Sequence, residues 1–158
     1  MMQPPYQSSG KYLFVSRVQA DEQISNEFIT LLQSDGANVW FDTEYEPAGD
    51  KPTQEWLDRD LAWEHKLVER LGNSAGVVIF LSGKSGNDSH IARQLKFALT
   101  HKKPVAIARL DAEKPDATIE LNLGLVECVE LSSFDDNAAF MQALQNTSAI
   151  KTCLPKER

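Results

Sequence analysis

The chain of 158 residues contains only two cysteines, Cys128 and Cys153. They do not form a CxxC motif, and no clustered histidines accompany them, which argues against a disulfide framework and against a zinc site. Cys128 lies in an apolar run, so we expect it to be a buried thiol. The sequence therefore predicts no metal site and is compatible with a reducing compartment.

Basic residues are also scarce, because 16 Lys and Arg stand against 23 Asp and Glu and the formal net charge is −7. Nucleic-acid binders carry basic patches, since neutralising phosphates supplies much of their affinity. The one short basic cluster, His101 to Lys103, falls where a helix is expected to end. We therefore expect no nucleic acid among the partners of this protein.

Long apolar runs are missing as well. No stretch approaches the roughly 18 apolar residues that a helix needs to cross a bilayer. Residues 1–10 are rich in Gln, Pro and Ser and lack the apolar core of a signal peptide. We therefore expect a flexible N-terminal segment over 1–10, no membrane partner and a cytoplasmic location.

The sequence does contain a regular alternation of strand and helix signals. Five short apolar runs predict strands, at 11–15, 37–41, 75–81, 104–109 and 127–131. Amphipathic stretches between them predict helices: one capped by Asp21 and ended by Gly36, one from about Thr53 to Leu71, one from about Ser89, and a last one opened by Ser133 and Asp136. This alternation predicts one α/β domain over 11–146, with a five-stranded parallel sheet between helices on both faces. Residues 147–158 are assigned to a loose C-terminal tail.

The order of the predicted elements also indicates where a ligand would bind. In parallel α/β sheets, ligands bind beyond the carboxyl ends of the strands. Polar residues stand at three of these ends: Ser16 and Arg17 after the first strand, Asp42 after the second and Ser82 after the third. We expect these side chains and the start of the helix at Ser89 to lie near one another.

Several segments, taken in order, resemble the TIR (Toll/interleukin-1 receptor) domain of the bacterial type. The matching segments are Phe14-Val15-Ser16 with Asp21-Glu22, Gly36 to Asp42, Val77 to Ser82, and Lys102-Lys103-Pro104-Val105. The ordered set covers about Lys11 to Leu131, and no single motif in it is specific. The resemblance implies the flavodoxin-like TIR fold.

Many bacterial TIR domains cleave NAD+ at the nicotinamide–ribose bond in antiphage defence, as hydrolases or as ADP-ribose cyclases. The resemblance therefore implies NAD+ as a substrate rather than a permanently bound cofactor. Active members carry an essential glutamate on the helix after the third strand, in a W-x-x-x-E pattern. Here Gln94 takes the place of that glutamate, and His90 takes the place of the tryptophan.

The replacement at residue 94 matters chemically. Loss of nicotinamide leaves positive charge on the ribose, which a carboxylate stabilises and an amide does not. We therefore expect the chain as written to be inactive or nearly so. Two origins of Gln94 stay open, a deliberate Glu→Gln exchange that silences the site and a natural divergence, which the second departure at His90 favours.

The resemblance assigns further residues to the substrate and to assembly. Substrate contacts are implied for Phe14, Ser16, Arg17, Asp42, Ser82 and His90, and assembly contacts for the BB loop with Glu44, Tyr45, Pro47, Gly49 and Asp50. Several have a plainer alternative: Arg17 could pair with Asp21 or Glu22, and Asp42 could simply end its strand. The implied partners are NAD+, other TIR domains and a downstream effector protein.

Other interpretations of the same pattern remain. The domain could be a non-enzymatic TIR scaffold that signals through assembly. A receiver domain or a flavodoxin fits poorly, because the paired acids or the phosphate loop that they require after the first strand are missing. A nucleoside deoxyribosyltransferase, which also uses a glutamate on such a scaffold, stays as a minor alternative. We assign Trp40 to the core and Trp56 and Trp63 to packing. We assign the charged residues Glu64, Lys66, Glu69 and Arg70 to a solvated helix face.

Overall fold

The computed structural model describes residues 2–8, 10–43, 53–85 and 88–154. Five parallel strands form one sheet in the order β2-β1-β3-β4-β5. The strands are β1 (Leu13–Ser16), β2 (Val39–Phe41), β3 (Gly76–Leu81), β4 (Val105–Arg109) and β5 (Glu127–Glu130). The predicted α/β fold with a five-stranded parallel sheet is confirmed, and the strand order is that of flavodoxin-like domains.

Within the described residues, six α-helices connect the strands or follow them. They are α1 (Glu22–Ser34), α2 (Gln54–Asn73), α3 (Ser89–Thr100), α4 (Ala117–Leu123), α5 (Asn137–Gln145) and α6 (Ser148–Cys153). The side chains of Thr53, Asp88, Asp116 and Asp136 accept hydrogen bonds from the first-turn N–H groups of α2 to α5. Asp136 alone therefore opens α5, without the predicted help of Ser133. Asp21 precedes α1 but makes no capping hydrogen bond through its side chain.

Two apolar cores lie on opposite faces of the sheet. One core joins α1, α5 and α6 to alternate strand residues such as Val15, Phe41 and Phe80. The other core joins α2, α3 and α4 to the intervening residues, such as Phe14 and Trp40. Because successive side chains of a strand point to opposite faces, the parity of a residue decides which core it enters. The assignment of Trp40 to the core is confirmed, since only 2% of its surface is exposed.

The C-terminal segment is not a loose tail over its described residues. Residues 148–153 form α6, which packs on β1, β3 and β4, and Ala149, Ile150 and Cys153 are buried. The close approach depends on Gly76, because a Cβ atom there would overlap the carbonyl oxygen of Ala149 and lie 3.1 Å from its carbonyl carbon. The prediction of a loose tail was wrong because this apolar triplet is short and falls after the predicted end of the domain.

The N-terminal segment is also attached to the domain. The Tyr6 N–H donates to the Val39 carbonyl at 2.9 Å. Gln3 exchanges two hydrogen bonds with Gln33 of α1, at 2.8 and 3.1 Å. The described part of the segment therefore lies along the edge strand β2, where its backbone pairs with groups that an edge strand leaves open. The expectation of a flexible segment did not anticipate these contacts.

Cys128 is exposed, so the prediction of a buried thiol was wrong. The apolar run that suggested burial belongs to β5, which pairs with β4 alone among the described strands and forms an edge of the sheet. Along β5, only Val129 is even partly buried. Cys153, by contrast, is the last residue of α6 and is buried.

Candidate functional site

A cleft of about 620 Å³ lies at the carboxyl ends of β1, β2 and β3, on the switch in strand order between β1 and β3. It brings together most of the residues singled out from the sequence. Its lining includes Phe14, Ser16, Arg17, Asp42, His90 and Gln94. We therefore regard this cleft as the candidate functional site.

Ser16 and Gln94 are in direct contact at the base of the cleft. The Ser16 hydroxyl donates a hydrogen bond to Oε1 of Gln94. Ser16 is only 4% exposed, whereas Gln94 is half-buried. This contact holds the amide carbonyl of Gln94, so its NH2 group, which can only donate, is the part left for a ligand.

An aromatic wall closes one side of the cleft. Phe14 stacks on Trp40 with ring centroids 5.1 Å apart, and both residues line the cleft. Both rings are almost fully buried, so they shape the cleft more than they offer an open stacking surface. The Nε1 atom of Trp40 is buried and has no hydrogen-bond partner among the described residues.

Arg17 lines the cleft, but its guanidinium group is bound to helix α1. Its Nη1 donates to the Asn26 side chain and lies 3.3 Å from the Ser25 hydroxyl. The group also lies 5.0 Å from the centre of the Phe41 ring. Burial lowers the pKa of Arg17, and the nearby carboxylates of Glu22 and Asp42 oppose that shift. Neither predicted partner, Asp21 or Glu22, forms a salt bridge with Arg17 in the described structure.

His90 lies at the mouth of the cleft within a small polar cluster. Its ring meets Trp63 edge-on, with centroids 4.9 Å apart. Its Nδ1 lies 3.6 Å from the Glu64 carboxylate, which also pairs with Arg93. Glu64 therefore links α2 to α3 through side chains that remain partly exposed, a contact that the interpretation as a solvated face did not anticipate. Trp63 does pack against the core, as expected, but it also lines the cleft.

Ser82 does not line this cleft. Its hydroxyl donates to the Asp21 carboxylate at 2.7 Å, and both residues line a second cavity of about 360 Å³ next to α1 and α5. Leu81 points into the core beneath α2 and α3, so the next residue points to the opposite face. This alternation separates Ser82 from Ser16. The Asp21 carboxylate accepts from Ser82 and makes no hydrogen bond to the first turn of α1.

Two further cleft residues carry charge and were not singled out from the sequence. Asp88 caps α3 by accepting from the N–H groups of His90 and Ile91, at 2.8 and 3.1 Å. Lys84 belongs to the turn between β3 and α3, and its side chain is exposed. The sequence offered one signal for Lys84, since it lies three residues beyond the end of a strand.

The BB-loop residues Glu44, Tyr45, Pro47, Gly49 and Asp50 lie outside the described residues. Within the described ranges, no group of three or more His, Cys, Asp or Glu side chains is arranged to hold a metal ion. In the same part of the chain, no helix has the length and apolar character that crossing a membrane requires.

Comparisons with known proteins place this geometry in context. The family model described as "TIR domain" matches residues 13–145. No curated protein sequence matches the chain. Among solved structures, a 2-deoxyribosyltransferase from the psychrotolerant bacterium Bacillus psychrosaccharolyticus superposes with a TM-score of 0.58 at 12% identity, over 93% of this chain and 99% of that one. At that identity the likeness concerns the fold alone.

Proposed function

The chain belongs to the TIR domain family, and we propose that its cleft binds NAD+ with the nicotinamide–ribose bond near residue 94. The observation that supports this proposal most is the meeting of Ser16 and Gln94 inside the cleft. The contact places residue 94, where active relatives carry glutamate, beside a hydroxyl that would orient a carboxylate. Arg17, Asp42 and His90 surround the same space.

The chemistry of the bond explains why a carboxylate is needed at this position. When nicotinamide leaves, the ribose acquires oxocarbenium character and its positive charge must be stabilised. A glutamate at 94 would accept the Ser16 hydrogen bond on one oxygen and offer the other, negatively charged, to the ribose. Gln94 offers an NH2 donor instead, which cannot stabilise a cation. Removing one well-placed electrostatic group costs about 10²–10³ in rate, so we propose that the chain as written binds NAD+ but scarcely cleaves it.

The first test is Gln94→Glu at high protein concentration with NAD+, with nicotinamide and ADP-ribose products quantified by chromatography. We expect the variant to release nicotinamide at least about 100-fold faster than the unchanged chain. Gln142→Glu is the matched control, because it adds the same charge on the exposed side of α5 and should not raise the rate. ADP-ribose as the product would identify a hydrolase, and a cyclic isomer would identify a cyclase.

A variant that binds NAD+ without releasing nicotinamide would contradict the glycosidase proposal. It would favour the second candidate, a TIR scaffold that signals by assembly alone. The loss of both the glutamate and the tryptophan of the active pattern, at Gln94 and His90, is the observation that favours this candidate. TIR domains commonly self-associate, and a head-to-tail contact would build filaments. A protein that stays monomeric at high concentration in sedimentation runs, with and without NAD+, would argue against the scaffold.

We place either activity in bacterial immune signalling, because bacterial relatives of this kind act in antiphage defence. In that role the domain would work in the cytoplasm and pass its signal to a downstream effector protein. The acidic net charge of −7 agrees with a small-molecule or protein partner better than with nucleic acid.

A further inference from the structure

A dinucleotide carries a diphosphate, and a cation in the cleft would strengthen its binding. Arg17 is the obvious cation, but its Nη1 atom already donates to the side chains of Ser25 and Asn26 on α1. Its group is also held over the Phe41 ring, and the Glu22 and Asp42 carboxylates act on it electrostatically. Moving the Arg17 guanidinium group away from α1 to meet a phosphate would therefore break these contacts.

The other charged residues that line the cleft favour the use of a second cation. Among the described residues, the lining contains the three carboxylates of Glu22, Asp42 and Asp88 and two permanently charged cations, Arg17 and Lys84. A diphosphate would add further negative charge to this balance. Without Lys84, Arg17 would be the one permanent cation among the described lining residues, facing three carboxylates and the ligand phosphates. Repulsion between these negative charges would disfavour binding.

Lys84 has the placement that this task requires. Its backbone is held in a hydrogen-bonded turn, since its N–H donates to the Ser82 hydroxyl at 3.1 Å and the Ser82 N–H donates to the Ser85 hydroxyl at 2.8 Å. Its side chain is exposed and forms no salt bridge within the part of the chain that the structure describes. A fixed backbone with an uncommitted ammonium group suits a lysine that binds phosphate as a point charge.

We propose that Lys84 binds the phosphate of the ligand and makes the cleft select phosphate-bearing nucleotides over nucleosides. Lys84 lines both the cleft and the second cavity beside α1, so the phosphate would lie on the side of the cleft that borders that cavity. The ribose that carries nicotinamide would then point toward Gln94. The inference rests on the proposed function, because it assumes that the cleft takes a nucleotide.

The test compares Lys84→Gln with the unchanged chain in calorimetric titrations with ADP, adenosine and NAD+. Losing one charge-assisted contact should weaken ADP and NAD+ binding about tenfold and leave adenosine binding unchanged. Lys96→Gln is the matched control, since Lys96 is an exposed lysine on α3 that does not line the cleft, and it should change none of the three affinities. Equal unfolding temperatures of the three proteins would show that the exposed substitutions leave the fold intact.

The possible outcomes separate this inference from the proposed function. If Lys84→Gln bound ADP and NAD+ as tightly as the unchanged chain does, the role of Lys84 would be overturned, but the proposed binding of NAD+ would remain. ADP binding that depends on Lys84, without any NAD+ binding, would support the phosphate contact and overturn the proposed substrate. If neither ADP nor NAD+ bound, both proposals would fall.

Discussion

The orientation of the Gln94 side chain is set by one neighbouring hydroxyl, that of Ser16. In isolation, a glutamine on a helix is an ordinary polar residue, but the Ser16 hydroxyl fixes its carbonyl inside the cleft. Arg17 shows the opposite effect, because contacts with Ser25 and Asn26 commit its guanidinium group to the protein. At the residue scale, hydrogen-bond partners decide which side chains remain available to a ligand.

The two thiols should differ sharply in reactivity. Burial raises the pKa of Cys153 to about 11, so its reactive thiolate is rare at neutral pH. Burial and the neighbouring Glu130 also raise the pKa of Cys128, but this side chain is exposed on the edge strand. We expect a thiol reagent at pH 8 to label one cysteine in the folded protein and two in denaturant, as counted by mass spectrometry. Cys128→Ser should abolish labelling of the folded protein, and persistent labelling would contradict the buried position of Cys153.

At the scale of elements, strand parity organises the site. Phe14, Ser16 and Trp40 face the side of the sheet covered by α2 and α3, where the cleft opens. Ser82 has the opposite parity and meets Asp21 beside α1. Successive strand residues point to opposite faces, and this rule could have been applied to the sequence. Val15 and Leu81 enter different cores, so the residues that follow them, Ser16 and Ser82, point to different faces.

The packing of α6 on β3 leads to a prediction with an internal control. Gly76→Ala would force a Cβ atom against the Ala149 backbone, which cannot yield without moving α6. We expect a loss of about 3 kcal/mol in the free energy of unfolding, measured with denaturant. Gly124→Ala should change that free energy by no more than about 1 kcal/mol, because nothing lies within 4 Å of the added atom and its φ of −70° suits alanine. Equal losses in the two variants would show that α6 does not pack as described.

At the scale of the whole molecule, the two ends of the chain complete the domain. The N-terminal segment pairs with β2, and α6 covers three central strands. Both segments lie outside residues 13–145, the part of the chain that matches the TIR family, yet both contact the sheet. Glu127 links the far edge strand to the C-terminal helix, since its carboxylate accepts from the Ser148 N–H at 2.9 Å. These contacts couple the edges of the sheet to its centre.

The contact between Glu127 and Ser148 should make the free energy of unfolding depend on pH in the acidic range. Its hydrogen bonds with Ser148 lower the pKa of Glu127 below the value of a free glutamate. A lowered folded-state pKa contributes stability above the unfolded pKa, and this contribution is lost as the pH falls through the folded value. Glu127→Gln keeps an acceptor for the Ser148 N–H but loses the charge, so we expect it to cost no more than about 0.5 kcal/mol at pH 7, because solvent screens the exposed carboxylate, and less at pH 2.5, where more of the carboxylate is protonated. Chemical unfolding at both pH values measures this difference, and an equal cost at both would contradict the assignment to the charged carboxylate.

The sequence by itself determined the alternation of elements, because buried parallel strands need continuous apolar runs and the helices carry recognisable caps and apolar stripes. It also placed Ser16, Arg17 and Asp42 at one edge, since all strands of a parallel sheet end on the same side. It did not reveal α6, the exposure of Cys128 or the pairing of Ser82 with Asp21. Those were decided by the tertiary structure, because strand order makes β5 an edge strand, and the packing of α1 and α6 on the sheet brings Asp21 to Ser82 and buries the last helix.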